Sequence, residues 1–258
     1  MTLTLTLRAQ PAARVRAAGL VPARLRGLHA SAVGGLTVRC GGKAVSVGDL
    51  FEVSGAGTED PRLVLAGDLR RFDEIGARMS SGEIEVRGSV GAWAGAEMSG
   101  GLLRVSGDAG ARLGAAYPGA RVGMTGGEIA VTGDAGEESG AGMRRGLVVV
   151  GGRTGPGAGL RMLAGTVIAL GGIGSEAGLG NKRGTLASGT NVAPLPSYAF
   201  ATRFSPPALR LALLRARELG IGVDDGLLRG PWARWSGDRT ELARGELLIF
   251  DRHDEEGQ

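Results

Sequence analysis

A motif bounded by two glycines recurs along the middle of the chain, between Gly82 and Gly189. Each full copy holds five residues in which apolar side chains alternate with others, as in Gly127-Glu-Ile-Ala-Val-Thr-Gly133. Successive copies start 19, 26, 19, 19 and 19 residues apart. The starting residues are Gly82, Gly101, Gly127, Gly146, Gly165 and, for a truncated copy, Gly184. A constant internal period of about 20 residues indicates a stacked repeat architecture.

The alternation within each copy predicts a strand with two different faces. Side chains two and four positions after the starting Gly, such as Ile129 and Val131, are expected to point inward. A second recurring unit, Gly-x-x-Met, is predicted to place a column of methionines in an inner corner, where a flexible thioether fills irregular space. A metal-binding or redox role is the alternative for this column, whose members are Met79, Met98, Met143 and Met162. The pattern predicts a mainly β fold, a right-handed parallel β-helix of about 19 residues per turn.

The flanking segments depart from this period and predict three parts. Residues 1–60 are interpreted as an N-terminal β-rich cap, 61–190 as the parallel β-helix of Gly-rich repeats, and 191–258 as a C-terminal extension. Ser205-Pro206-Pro207 predicts the start of a helix at about 206–219, with Ser205 as N-cap and Gly220 closing it. An apolar strand is expected after the helix.

Composition argues against several classes of function. The formal net charge of +4 is spread along the chain without a block of like charges, so no nucleic-acid tail is expected. The lone Cys40 excludes an internal disulfide, or an iron–sulfur or four-cysteine zinc site made by this chain alone. His29 and His253 have no metal-ligand neighbours, so no metal is expected. No segment reads as a signal peptide or a membrane span, which favours a cytoplasmic protein.

The sequence also lacks the motifs that are typical of catalytic sites. No Gly-x-Ser-x-Gly elbow occurs. Asp108 and Asp134 follow Gly at the same repeat position, so they are predicted to accept hydrogen bonds from backbone amides at a corner rather than act as acids. We therefore predict no catalytic residue in this chain.

Basic side chains recur at one corner of the predicted stack. Two pairs follow the Met position or its equivalent, 38 residues apart, and stacking would place them about 10 Å apart. Such a ladder suits a polyanion, through charge-assisted hydrogen bonds, whereas solvated surface charge is the alternative. The candidate residues are Arg144, Arg145, Lys182 and Arg183, with Arg153 and Arg161 in the turns between the pairs.

Two other features predict contact surfaces. The outward positions Leu147, Val149 and Ile168 form an apolar strip, which favours a protein interface unless the C-terminal segment folds back over it. The 26-residue copy carries seven extra residues within 115–121, and Tyr117-Pro118-Gly119 reads as a turn there. Insertions in stacked repeats lie on one face, often the binding face, so Tyr117 joins the interface hypothesis.

The repeats resemble a known family. The segment Gly127–Gly136 reads Gly-x-Ile-x-Val-x-Gly-Asp-Ala-Gly, and Gly-Ala-x-Met is spaced behind it. This is similar to the β-helix shared by the C subunit of formylmethanofuran dehydrogenase and the C-terminal domain of the glutamate synthase large subunit. The tail, with Leu195-Pro196-Ser-Tyr, Trp235-Ser-Gly237-Asp238 and Gly245-Glu246-Leu-Leu-Ile, resembles the family of these dehydrogenase C subunits. The Arg-rich, Lys-poor composition favours the bacterial form, the C subunit of the formyltransferase/hydrolase complex of methylotrophs.

The resemblance implies a function for the whole assembly. Such a complex moves a formyl group from tetrahydromethanopterin to a methanofuran-type carrier (methylofuran) and hydrolyses it to formate. The implied partners are the dehydrogenase-like A (hydrolase) and B subunits and the formyltransferase, or D, subunit, and the reaction centres belong to these partners. The C subunit would be a non-catalytic scaffold whose surface helps hold the glutamate-containing tail of the carrier. The C subunit of an archaeal-type formylmethanofuran dehydrogenase or a glutamate-synthase-like structural β-helix domain are the alternatives.

Overall fold

The computed structural model describes residues 2–55 and 62–251, and the chain is mainly β. The strands are β1 (Leu3–Leu7), β2 (Val15–Arg16), β3 (Thr37–Cys40), β4 (Lys43–Ser46), β5 (Phe51–Ser54), β6 (Arg62–Ala66), β7 (Phe72–Asp73), β8 (Glu83–Arg87), β9 (Leu102–Val105), β10 (Glu128–Val131), β11 (Leu147–Val150), β12 (Thr166–Ala169), β13 (Thr185–Ser188), β14 (Ala199–Phe204), β15 (Trp232–Gly237) and β16 (Gly245–Phe250). The helices are α1 (Pro22–Leu25), α2 (Ala30–Gly34), α3 (Val47–Leu50), α4 (Pro207–Glu218) and α5 (Asp225–Arg229), with a 3₁₀ turn at Arg239–Glu241.

Most strands belong to one sheet of 12 strands, in the order β14-β15-β16-β13-β12-β11-β10-β9-β8-β6-β1-β5. Within this sheet order, every neighbouring pair between β16 and β1 is parallel. The end strands are antiparallel to their neighbours: β5 at one end, and β15 and β14 at the other. Glu128 pairs with Leu147, and Leu147 with Thr166, each 19 residues further along the chain. The strand register therefore follows the predicted repeat.

A second ladder of parallel contacts runs beside the large sheet. Single bridges join Leu69 to Val90, Val90 to Ala109, Ala109 to Ala135 and Ala135 to Thr154. A smaller sheet of four strands, in the order β4-β3-β2-β7, adjoins the N-terminal end of this ladder through β7. Residues 2–55 thus contribute to both sheets, because β1 and β5 complete one end of the large sheet.

The inward-facing strand positions form the core, as predicted. Ile84, Leu103, Ile129, Val148 and Val167 are all fully buried. The predicted methionine column is buried too, with Met79, Met98, Met143 and Met162 at most 1% exposed. These positions confirm the interpretation of the columns as core.

The column has one further methionine that the motif did not predict. Met124 is fully buried, and its amide donates to the carbonyl of Gly114 at 3.0 Å. The seven-residue insertion separates these two residues, so Gly-x-x-Met is interrupted in the sequence although its hydrogen bond is kept. The column ends at buried Asn181, whose amide side chain bonds both the N–H and the carbonyl of Gly184, at 2.8 and 2.9 Å.

Helix α4 covers the outer face of the large sheet. Its residues Leu209, Leu213 and Ala216 are buried in one cluster with Val149 and Ile168, which are 0% exposed. Arg215 adds a bidentate contact to Glu128 of β10, through Nε at 3.1 Å and Nη2 at 2.8 Å. Burial of this kind stabilises a docked helix by roughly 1.5–3 kcal/mol per large apolar side chain.

The position of α4 corrects two expectations from the sequence. The predicted interface role of Val149 and Ile168 is wrong, because the chain's own helix covers both side chains and Leu147 packs half-buried against the same cluster. Ser205 is not the N-cap of α4: Pro206 occupies that position, and the Ser205 hydroxyl instead donates to the carbonyl of Arg229 at 2.8 Å.

Candidate functional site

A groove of about 890 Å³ lies against the insertion of the 26-residue repeat. Residues 116–122, which overlap the insertion, line part of it, and the 3₁₀ turn contributes Thr240 and Glu241. The remaining lining residues come from three successive turns of the stack: Ala141, Gly142, Leu160, Arg161, Leu163, Leu179, Gly180 and Lys182. The groove therefore joins the predicted insertion to part of the predicted basic surface.

The insertion is held in place by backbone hydrogen bonds at both of the insertion's ends. The amide of Ala116 donates to Ala141 at 2.9 Å, and the amide of Gly123 donates to the carbonyl of Gly142 at 2.8 Å. Between them, the amide of Ala120 donates to Tyr117 at 2.9 Å, which forms the predicted turn around Pro118. The loop thus leaves and rejoins the stack at two adjacent residues of the next turn.

The charged side chains of the groove are mainly basic. Arg121, Arg161 and Lys182 line it together with one acid, Glu241. Lys182 Nζ lies 3.3 Å from Glu241 Oε2, whereas Arg121 and Arg161 form no ion pair within the described residues. An exposed Lys–Glu pair is weak, so an anion can compete for Lys182. The two arginines can donate several hydrogen bonds each to carboxylates.

The structure brings together some of the predicted basic residues. The amides of Arg144, Leu163 and Lys182 donate to the Met carbonyl of the preceding turn, at 2.8, 2.7 and 2.8 Å. These three residues therefore occupy equivalent positions in consecutive turns, as the spacing predicted. Arg161 and Lys182 line the groove, whereas the exposed Arg144, Arg145 and Arg183 do not.

Arg153 lies at a different corner from the other basic residues. Its amide donates to Oδ1 of Asp134 at 2.7 Å, and the amide of Asp134 donates in turn to Asp108 at 3.1 Å. The two aspartates accept backbone hydrogen bonds, which confirms the prediction made for them. The exposed Arg153 side chain is therefore not part of the groove.

An aromatic cluster adjoins the groove at Tyr117. The Tyr117 and Trp93 rings stack with centroids 5.0 Å apart, and the guanidinium carbons of Arg78 and Arg112 lie 5.1 and 4.9 Å from the Tyr117 and Trp93 centroids, respectively. Burial raises the pKa of Tyr117 to about 12, and the negative charge of the Glu74 carboxylate is the second cause of this shift. The phenol therefore stays neutral. Tyr117 is half-buried against its own chain, and its interface role stays a prediction.

This aromatic cluster was not predicted, although two of its members, Trp93 and Arg112, lie at the repeat spacing in the sequence. Glu74, Trp93, Arg112 and Glu138 follow one another at the repeat spacings of 19, 19 and 26 residues. All four have positive φ, between 56° and 67°. Arg112 bonds Glu138 at 2.8 Å, so neighbours in this column interact directly.

Neither a metal centre nor a membrane segment is found in the part of the chain that the structure describes. Residues 2–55 and 62–251 contain no group of three or more His, Cys, Asp or Glu side chains that could hold a metal ion. His29 is the N-cap of α2, and His253 lies outside the described residues. No described helix has the length and the apolar character that crossing a bilayer requires.

Comparison with known proteins identifies similar chains. No protein-family model matches the sequence. The C subunit of the formyltransferase/hydrolase complex Fhc from Methylorubrum extorquens is 36% identical over 88 residues, which are 34% of this chain and 32% of that protein. The C subunit of the tungsten-containing formylmethanofuran dehydrogenase 2 from Methanothermobacter wolfeii is 32% identical over 96 residues, 36% of each chain. These matches span about a third of the length of the curated relatives.

A structural match covers nearly the whole chain. A chain in the crystal structure of the M. extorquens formyltransferase/hydrolase complex (FhcABCD), determined with methylofuran, superposes with a TM-score of 0.82 at 31% identity. The match covers 96% of this chain and 100% of the crystallised chain. The sequence and structural similarities together show that this chain belongs to the family formed by the C subunits of formyltransferase/hydrolase and formylmethanofuran dehydrogenase complexes.

Proposed function

We propose that this chain is the non-catalytic C subunit of a complex that transfers a formyl group from tetrahydromethanopterin to a methanofuran-type carrier and releases formate. In this proposal, the A, B and D subunits carry the reaction centres, and this chain scaffolds them and helps hold the carrier. The groove beside the insertion carries the proposal, because it combines two arginines that have no ion pair among the described residues with several turns of rigid repeat. The similar M. extorquens complex was crystallised with methylofuran, which supports a carrier of this type.

The scaffold role rests on how the chain is stacked. We infer that residues 61–190 coil as a right-handed parallel β-helix, between a cap at 1–60 and an extension at 191–258. The parallel register and the ladder of bridges from Leu69 to Thr154 support this coil, since both bring the chain back to the same place once per repeat. Right-handed crossover between parallel strands is the strong rule. A stack of this kind presents fixed columns of side chains to its partners.

The groove suits an extended anionic chain. Arg161 and Lys182 come from neighbouring turns, and the turns repeat about every 4.8 Å along the stack. Carboxylates spaced along a flexible tail can therefore contact one basic side chain after another. The apolar side chains of Leu160, Leu163 and Leu179 between them can pack against the methylenes of such a tail.

The experiment measures carrier content in the purified complex. Arg121→Glu combined with Arg161→Glu should lower the amount of carrier per complex by at least about tenfold, because two attractive contacts become repulsive. Arg153→Glu is the matched control, an exposed arginine of the same stack at another corner, and should leave the carrier content unchanged. Subunit stoichiometry on size-exclusion chromatography should be normal in both variants. Normal carrier content in the double variant would refute the carrier-holding role.

A further inference from the structure

Helix α4 carries two apolar stripes, of which only one is covered by the sheet. Leu209 and Leu213 face the sheet and are buried. Leu211 and Leu214, three residues apart and therefore neighbours on the helix surface, are 69% and 37% exposed. A second stripe is not needed to dock the helix on its own sheet.

This second stripe lines a groove of about 540 Å³ between α4 and α5. Leu227, Leu228 and Trp232 contribute further apolar lining. Trp232 is only 1% exposed, and its indole N–H donates to the carbonyl of Leu227 at 3.2 Å. The Trp232 ring also packs on Phe250 with centroids 5.3 Å apart, so this part of the groove is held in place without a ligand.

The charges at the groove have a single sign. Arg210 and Arg229 are the charged residues that line it, and no acidic residue does among those that the structure describes. Arg210 has no ion pair within residues 2–55 and 62–251, and Arg229 Nη2 lies 3.8 Å from the exposed carboxylate of Asp225. An exposed pair at that distance is weak, so both arginines can take a new carboxylate partner.

We propose that the α4–α5 groove docks an acidic amphipathic segment of another subunit of the complex. Apolar side chains of that segment fill the space between Leu211 and Leu228, and its carboxylates pair with Arg210 and Arg229. This is the mode in which an amphipathic helix lies in an apolar groove, with apolar anchors at helical spacing. The existence of a partner subunit rests on the proposed function, but none of these residues belongs to the insertion groove.

Site-specific photocrosslinking in the assembled complex tests the proposal. A benzophenone side chain replaces Leu211 in one variant and Leu242, which is 75% exposed and outside the α4–α5 groove, in the control. We expect the Leu211 probe to crosslink to one apolar segment of another subunit that is rich in Asp and Glu, at least about tenfold more than the control. A crosslink to a second copy of this chain, to its own residues 252–258, or to no protein overturns the proposal.

Charge and packing variants give an independent measurement. Leu211→Glu, or Arg210→Glu with Arg229→Glu, should raise the dissociation constant of the docked subunit by about 10- to 30-fold, the loss expected for a central interface contact. Carrier content per assembled complex should be unchanged. Binding of the partner subunit at the affinity of the unmodified chain overturns the proposal. Failure to assemble with any other subunit, even for the unmodified chain, would instead refute the proposed function.

Discussion

Truncation of Leu213 tests whether α4 is docked on the large sheet. Leu213 is 0% exposed, so Leu213→Ala removes three fully buried carbon atoms from the cluster that contains Val149 and Ile168. At about 0.8 kcal/mol per buried carbon the transfer loss is about 2.5 kcal/mol, and the cavity left behind raises the total to about 3 kcal/mol. Leu211→Ala is the matched control in the same helix. Because Leu211 is 69% exposed, the same truncation should cost only about 0.7 kcal/mol.

Thermal unfolding of the two variants separates these values. For a chain of this size about 3 kcal/mol lowers the Tm by roughly 6–12 °C, whereas the control should lower it by about 1–3 °C. Urea unfolding should likewise show a larger loss of free energy of unfolding for Leu213→Ala than for Leu211→Ala. The dependence of that free energy on urea concentration should be unchanged if the denatured states are alike. Equal losses for the two leucines, or a loss below about 1 kcal/mol for Leu213→Ala, would show that α4 does not cover the sheet as described.

Three other substitutions test the stack and its C-terminal closure. Met124→Ala should cost about 2–5 kcal/mol in urea unfolding, since Met124 is fully buried, and a neutral result would remove it from the core column. Gly140→Ala should cost about 1–3 kcal/mol, because φ is +73° and a Cβ would lie 2.6 Å from Cγ2 of Val167; an unchanged urea midpoint would refute this tight packing. Burial raises the pKa of the Asp238 carboxyl, but hydrogen bonds to it outweigh burial and leave that pKa below its usual value; the largest of these bonds come from the backbone amides of Thr240 and Gly180. The stabilisation is therefore present above about pH 4 and is lost as the pH falls through the folded-state pKa. Asp238→Asn should lower the urea midpoint at pH 7 more than at pH 3, and a pH-independent loss would contradict the role of the charge.

Local pattern in the sequence was enough to predict the repeat and its core. Alternation places Ile129 and Val131 inward because the strand period is two, and equal spacing of the glycines sets the register between turns. The helix after Pro206 was predicted from its prolines and composition to within one residue at each end, although its N-cap is Pro206 and not Ser205. These features depend on residues that are close in sequence or one repeat apart, so a single chain displays them.

The relations that the sequence did not reveal are between distant segments. Helix α4 is rich in Leu and Ala on two faces, so its pattern does not show which face lies on Val149 and which stays exposed. The insertion groove contains both Tyr117 and Glu241. These two residues come together only because the C-terminal extension returns to the last turn of the stack. Arg121, which lines the insertion groove, was not among the predicted basic candidates. It lies in the insertion, where no equivalent position in another repeat is available for comparison.

The loop between Ala116 and Gly123 supplies its part of the insertion groove without altering the turns of the stack that supply the rest. Its two ends are bonded to the adjacent residues Ala141 and Gly142, so loop length can change without shifting the register of the strands on either side. Loops of this kind accept insertions and deletions at little thermodynamic cost. The part of the groove that this loop contributes can therefore change in shape and charge while the buried columns keep their packing.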